Sequence, residues 1–146
     1  MRVVVQRSLE SKVEVENKIV GNISKGMVLL VGFKVGDTIQ DIDYIINKLI
    51  HLRIFDDENK IMNLSLMDIK GEILSISQFT LYGNTKKGNR PSYIDAMKPE
   101  EASKLYDIFN QKLRDFNIKV ETGIFGADMK VSIMNDGPTT IILESR

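Results

Sequence analysis

Apolar and polar positions alternate with a period of two at the start of the chain. Val3 and Val5 are separated by polar or outward residues, Val13 and Val15 repeat the pattern, and Ile19 to Ile23 follows an Asn-containing break at Glu16-Asn17. This spacing predicts strands with one buried face. Met27-Val28-Leu29-Leu30-Val31-Gly32-Phe33 is apolar without interruption, which predicts a buried strand. The period then changes. Ile42, Ile45, Ile46, Leu49 and Leu52 fall at helical spacing, and Thr38-Ile39-Gln40-Asp41 has the form of a capping box at the helix start. A second helix is predicted from Pro99 to about Phe116, with Ala102, Leu105, Phe109, Leu113 and Phe116 as its apolar stripe and Asn117 ending it. Between the helices Glu72 to Leu81 is strand-like, and Ile118 and Val120 predict a short strand after the second. Two closing strands are predicted, Met129 to Met134 and Thr139 to Leu143, joined by a turn at Asn135-Asp136-Gly137-Pro138. Taken as an isolated turn, its Gly-Pro peptide is expected to be trans, the commoner isomer. The sum is an α+β fold: a mixed, mostly antiparallel sheet or partial β-barrel with two helices.

No repeat or linker interrupts the 146 residues, so a single domain over 1–146 is expected, with any site built on one scaffold. The chain lacks cysteine, which excludes disulfides, thiolate nucleophiles and cysteine metal sites. No stretch approaches the run of about 20 apolar residues that spans a bilayer, and Met1-Arg2-Val3-Val4-Val5-Gln6-Arg7 is charged too early for a signal peptide. The expectation is a cytoplasmic protein without a membrane partner. Twenty basic and twenty acidic residues leave no net charge, so attraction to a nucleic-acid backbone must be local.

His51 is the one histidine and sits late in the first predicted helix, where a helix-end side chain without catalytic role is the simpler reading. A Ser-His-Asp triad is then excluded. Asp56-Asp57-Glu58 reads as a solvated turn rather than a metal site, and neither metal nor cofactor is expected. Ser77-Gln78-Phe79-Thr80-Leu81-Tyr82 ends a strand, with alternation placing Ser77, Phe79 and Leu81 on one face and Gln78, Thr80 and Tyr82 on the other. Lys86, Lys87 and Arg90 gather three cations in the Gly-containing loop Thr85 to Arg90. That loop reads equally as a solvated turn or as a phosphate contact beside a pocket.

Ser77-Gln78-Phe79-Thr80-Leu81, Gly123-Ile124-Phe125-Gly126-Ala127-Asp128-Met129 and Asn135-Asp136-Gly137-Pro138-Thr139-Thr140 resemble, in order and spacing, the signature segments of the D-aminoacyl-tRNA deacylase family. The resemblance extends over the whole chain, including its length, the basic loop and Val5-Gln6-Arg7. Thr139 departs from it, where valine is common in the family, with no functional consequence expected.

The resemblance implies an aminoacyl-tRNA editing hydrolase, acting as a homodimer with active sites at the subunit interface. Its substrate would be the acceptor end of D-aminoacyl-tRNA, and also glycine mischarged on tRNA(Ala). It implies a cis Gly137-Pro138 peptide that enters the partner's site as a chiral gate, rejecting L-amino acids by steric clash. Arg7 would fix that segment through its carbonyls. Ser77, Gln78, Phe79 and Thr80 would surround the scissile ester, with strand-end N–H groups holding its carbonyl oxygen. Phe125 and Met129 would line the pocket of the terminal adenosine, although core packing explains both equally from sequence. No general base is evident near Thr80, and the family assigns activation of water to the terminal 2′-OH of the tRNA. The alternatives are a non-catalytic tRNA-binding or RNA-binding domain, which would use the basic loop and exposed aromatics, and a related deacylase of different amino-acid specificity.

Overall fold

The computed structural model describes residues 1–145. Its strands are β1 Arg2–Ser8, β2 Ser11–Val15, β3 Lys18–Ile23, β4 Gly26–Gly32, β5 Phe55–Asp56, β6 Met62–Leu64, β7 Glu72–Ser77, β8 Val120–Thr122, β9 Lys130–Ser132 and β10 Asn135–Glu144; its helices are α1 Ile39–His51 and α2 Pro99–Arg114. Five strands form the main sheet in the order β10-β1-β4-β7-β8. The β10–β1 and β1–β4 pairs are antiparallel, while β4–β7 and β7–β8 are parallel. A second antiparallel sheet has the order β3-β2-β9, and β5 pairs with β6. The expected α+β class with a mixed, mostly antiparallel sheet and two helices is what the chain adopts.

The two faces of the main sheet explain the two hydrophobic periods. Val3, Val5, Met27, Leu29, Val31 and Ile73 point to the helices, where they meet Ile42, Ile45 and Leu49 of α1 and Phe109 and Leu113 of α2. Alternate residues Val28, Leu74 and Ile76 pack instead on Val13 and Ile23 of the second sheet. Strand β4 is thus covered on both sides, as its unbroken apolar run requires. The second sheet does not reach the β10 edge. There Val4 is paired with Ile142 and Gln6 with Thr140, and Ile142 is 62% exposed.

Asp41 accepts hydrogen bonds from the Thr38 backbone N–H (2.8 Å) and hydroxyl (3.0 Å), anchoring the start of α1 as its sequence predicts. α2 begins at Pro99 as expected but ends at Arg114, and Asn117 turns the chain with a φ of 59°. Its buried stripe runs through Ala102, Tyr106, Phe109, Asn110 and Leu113. Leu105 is only half-buried and Phe116 is exposed, because the helix stops before its last turn can bring Phe116 onto the sheet.

Two expectations fail where tertiary bonds override local pattern. The strand predicted to reach Leu81 stops at Ser77, and Phe79–Tyr82 forms a 3-10 turn. The Gln78 N–H makes a last cross-strand bond to Val31 O (2.7 Å), after which Leu81 N–H turns back to Gln78 O (3.3 Å). The alternating faces predicted for residues 77–82 therefore do not exist. Likewise, Asn135-Asp136-Gly137-Pro138 is no turn between strands: it lies inside β10, and the two predicted strands meet at Ile133-Met134.

Candidate functional site

The end of β7, the segment before α2 and the β8–β9 connection enclose a cavity of about 600 Å³. Ser77, Gln78 and Phe79 form one wall, and Phe125 and Met129, almost 50 residues later in the chain, form another. These five sequence-predicted residues are brought together. Tyr93, Met97, Lys98, Pro99 and Ala102 also line the cavity. The sequence reading missed them as site residues; the one signal was that Ser92 to Lys98 lies between two prolines, where the chain is held extended rather than helical.

Phe125 is held from behind. Its ring lies 5.9 Å from that of Tyr106, whose hydroxyl donates to Ser75 O at 2.7 Å. Burial pushes the Tyr106 phenol above its ordinary pKa, so it stays a neutral donor. Gly123 N–H reaches the same carbonyl at 3.3 Å. Strand β7 and the β8–β9 connection are thereby fixed to one point, although the connection has little regular structure of its own.

Thr80 is exposed and does not line the cavity; its hydroxyl accepts a hydrogen bond from the Gln78 side-chain amide. Because Gln78 N–H is committed to Val31, it is not available to a ligand. His51 is exposed at the end of α1, with Nδ1 2.8 Å from Asn47 O, and does not line the cavity. In the acidic cluster, Asp57 accepts from Asn59 N–H and Ile61 N–H and so closes a turn, while Asp56 pairs with Arg7 at 3.2 Å. Lys86, Lys87 and Arg90 are exposed on their loop, outside the cavity lining.

Gly137 and Pro138 are exposed and lie outside this chain's own cavity. The register of β1 and β10 shows how they are presented. Gln6 pairs with Thr140 and Ser8 with Asn135, so Arg7 alone opposes Asp136, Gly137, Pro138 and Thr139, which bulge from the ladder. The Asn135 amide closes the bulge by donating to Arg7 O and Thr139 O, both at 3.0 Å. Arg7 Nε donates to Asp136 O (3.2 Å) and one terminal nitrogen donates to Ile54 O (2.9 Å). Arg7 is buried, not the solvated strand-end charge that its position alone suggests. Gly137 has a φ of 119°, which disfavours any residue with a side chain. The Gly137-Pro138 peptide is cis, against the expectation for an isolated turn.

A family model described as D-Tyr-tRNA(Tyr) deacylase matches residues 4–144. A D-aminoacyl-tRNA deacylase of Clostridium botulinum (strain Alaska E43 / Type E3) is 59% identical over 145 residues, covering 99% of this chain and 97% of that protein. One of Thermosipho melanesiensis is 55% identical, covering 100% and 98%. A solved structure described as c-Myc DNA Unwinding Element Binding Protein superposes with a TM-score of 0.94 at 39% identity, covering 100% of this chain and 99% of the other. A structure of a probable eukaryotic D-amino acid tRNA deacylase shares the fold, with a TM-score of 0.82 at 22% identity and 98% of each chain covered.

Proposed function

Since this chain belongs to the D-Tyr-tRNA(Tyr) deacylase family, we propose that it hydrolyses the ester between a D-amino acid and the terminal adenosine of tRNA, and glycine mischarged on tRNA(Ala). The observation that carries the reading is the cavity in which Ser77, Gln78 and Phe79 face Phe125 and Met129. Phe125 and Met129 offer an aromatic ring and a polarisable thioether to the adenine. The ester carbonyl then lies against the Ser77–Thr80 segment. With Gln78 N–H already bonded, the N–H groups of Phe79 and Thr80 are left to stabilise charge on its oxygen.

Catalysis in this reading belongs to the substrate. The ester lies beside a ribose 2′-OH, which orients or activates the attacking water; Thr80, whose hydroxyl is engaged by Gln78, assists binding only. The gate acts across a homodimer in this reading, which the exposure of Gly137 and Pro138 outside the lining of their own cavity supports. The apolar Val4 and Ile142 beside the uncovered β10 edge support that association. A rigid backbone held by Arg7 and Asn135 near the substrate α-carbon excludes an L side chain and admits a D side chain or glycine. The protein works as one domain over residues 1–146 in the cytoplasm, with Lys86, Lys87 and Arg90 on the tRNA phosphates.

The test is single-turnover hydrolysis, at saturating enzyme, of matched D- and L-tyrosyl-tRNA and of a 3′-linked D-tyrosyl-tRNA ending in 2′-deoxyadenosine. D-Tyrosyl-tRNA is expected to react, the L form to persist, and the deoxy form to bind but react far more slowly. Equal rates on D and L refute the gate. Normal reaction of the deoxy substrate together with an inactive Thr80→Ala variant moves catalysis to the protein.

A further inference from the structure

Tyr93 has no role in the assignments above, yet it stands where the cavity meets the base of the cationic loop. The residue lines the cavity and is 39% exposed. It packs edge-on against Phe79, with ring centroids 5.1 Å apart and planes at 65°, an arrangement that leaves a face of each ring unshared. The next residue back, Ser92, exchanges two backbone hydrogen bonds with Asn84 (2.8 and 2.9 Å), and this bridge closes the loop that carries Lys86, Lys87 and Arg90. On the other side Ala96 N–H bonds to Tyr93 O (3.1 Å), and Met97 N–H bonds to Phe33 O (3.0 Å). A Cβ added at Gly83 would lie 3.1 Å from Tyr93 Cε1, so the ring is seated against bare backbone. This aromatic surface is half-open and fixed from three sides.

We infer that Tyr93 is a stacking platform for the base of the nucleotide preceding the terminal adenosine. The inference rests on the reading that the cavity takes that adenosine. The order along the protein surface is apolar cavity, aromatic ring, cationic loop. A single-stranded 3′ end presents a terminal nucleoside, a neighbouring base and upstream phosphates in the same order. A base unstacked from its neighbour needs a π-face to cover it, and an aromatic ring supplies this whatever the base's hydrogen-bonding edge. Recognition at this position is therefore by stacking.

Two variants and the parent test the assignment: Tyr93→Phe, Tyr93→Leu and the unchanged protein, each with D-tyrosyl-tRNA and with the minimal 3′-(D-tyrosyl)adenosine. Leucine keeps apolar volume but has no planar face, which guards against collapse of the cavity. Tyr93→Leu is expected to raise KM for the tRNA by roughly tenfold, within the range for one base–aromatic stack, and to raise KM for the minimal substrate by a clearly smaller factor, since the ring also lines the cavity; Tyr93→Phe is expected to match the parent. A tRNA carrying 2-aminopurine in place of the penultimate cytidine should be quenched on binding by the parent and by Tyr93→Phe, but not by Tyr93→Leu. An equal rise in KM on both substrates overturns the proposal by placing the ring against the adenosine or the amino acid. No rise on either, or quenching that survives in Tyr93→Leu, also overturns it. If the parent hydrolyses neither substrate, the deacylase reading itself fails and the stacking assignment falls with it.

Discussion

Replacing Arg7 by methionine keeps the aliphatic stem of the side chain and removes the guanidinium that ties the Gly137-Pro138 bulge to the rest of the fold. The largest loss is the buried bond to Ile54 O at 2.9 Å. A hydrogen bond from a charged donor contributes about 1.5–3 kcal/mol, and its removal also leaves a buried carbonyl unsatisfied. The pairs to Asp56 (3.2 Å) and Asp136 (3.3 Å) add less, because those carboxylates are 47% and 40% exposed and water screens them. Together they are expected to contribute under about 1 kcal/mol. A total of about 3 kcal/mol, at roughly 2–4 °C per kcal/mol for a domain near this size, lowers Tm by roughly 6–12 °C. Thermal unfolding by circular dichroism measures it. The same variant should hydrolyse L-tyrosyl-tRNA faster relative to D-tyrosyl-tRNA, since the backbone that rejects the L side chain has lost its anchor. Arg7→Lys keeps the charge but cannot fork between Ile54 O and Asp136 O, so it should recover part of the stability and little of the selectivity. An Arg7→Met protein that melts within 2 °C of the parent, about the smallest shift that 1 kcal/mol would give, with an unchanged D-to-L ratio, refutes the anchoring argument.

Gly123→Ala places a Cβ 2.3 Å from Met129 Sδ; the flexible thioether must swing into the cavity that it lines, so KM is expected to rise severalfold while Tm moves little, and an unchanged KM would show that Met129 does not bound the adenosine pocket. Replacing Lys86 and Lys87 by alanine should weaken tRNA binding and flatten its dependence on salt, because fewer counterions are released; an unchanged slope assigns both lysines to solvent. Burial acts to raise the Asp41 carboxyl pKa, but hydrogen bonds from the Thr38 backbone and from the Ser145 and Thr38 side chains, with the nearby N-terminal charge, together outweigh it and hold it below its ordinary value of 3.8. A depressed carboxyl stabilises the fold above that value and loses its contribution as pH falls through the folded value. Asp41→Asn should therefore melt below the parent at pH 7, with the gap narrowing on acidification below 3.8; a gap independent of pH counts against the carboxylate cap.

The sequence by itself determined the elements whose signals are local. Period-two spacing at Val3, Val5, Val13 and Val15, helical spacing from Ile42 to Leu49, the Thr38–Asp41 cap and Pro99 at a helix start each act within a few residues, so burial had only to confirm them. The segments at Ser77, Gly123 and Asn135 were likewise legible as signatures, though not their arrangement. Tertiary structure decided the rest. Whether β7 continued past Ser77 depended on a last bond to Val31 and a turn back at Leu81. Whether Asn135-Asp136-Gly137-Pro138 formed a turn or a bulge depended on pairing with β1, more than 120 residues away. Phe125 and Met129 read equally as core or pocket until the β8–β9 connection was set opposite the end of β7, and the prolines flanking the Tyr93 segment did not mark Tyr93 as a site residue until Phe79 was brought beside it. The anchoring by Arg7 was likewise a tertiary matter: its partners, Ile54 and Asp136, come from distant parts of the chain, and the buried Ile54 carbonyl needs a donor that no local pattern reveals.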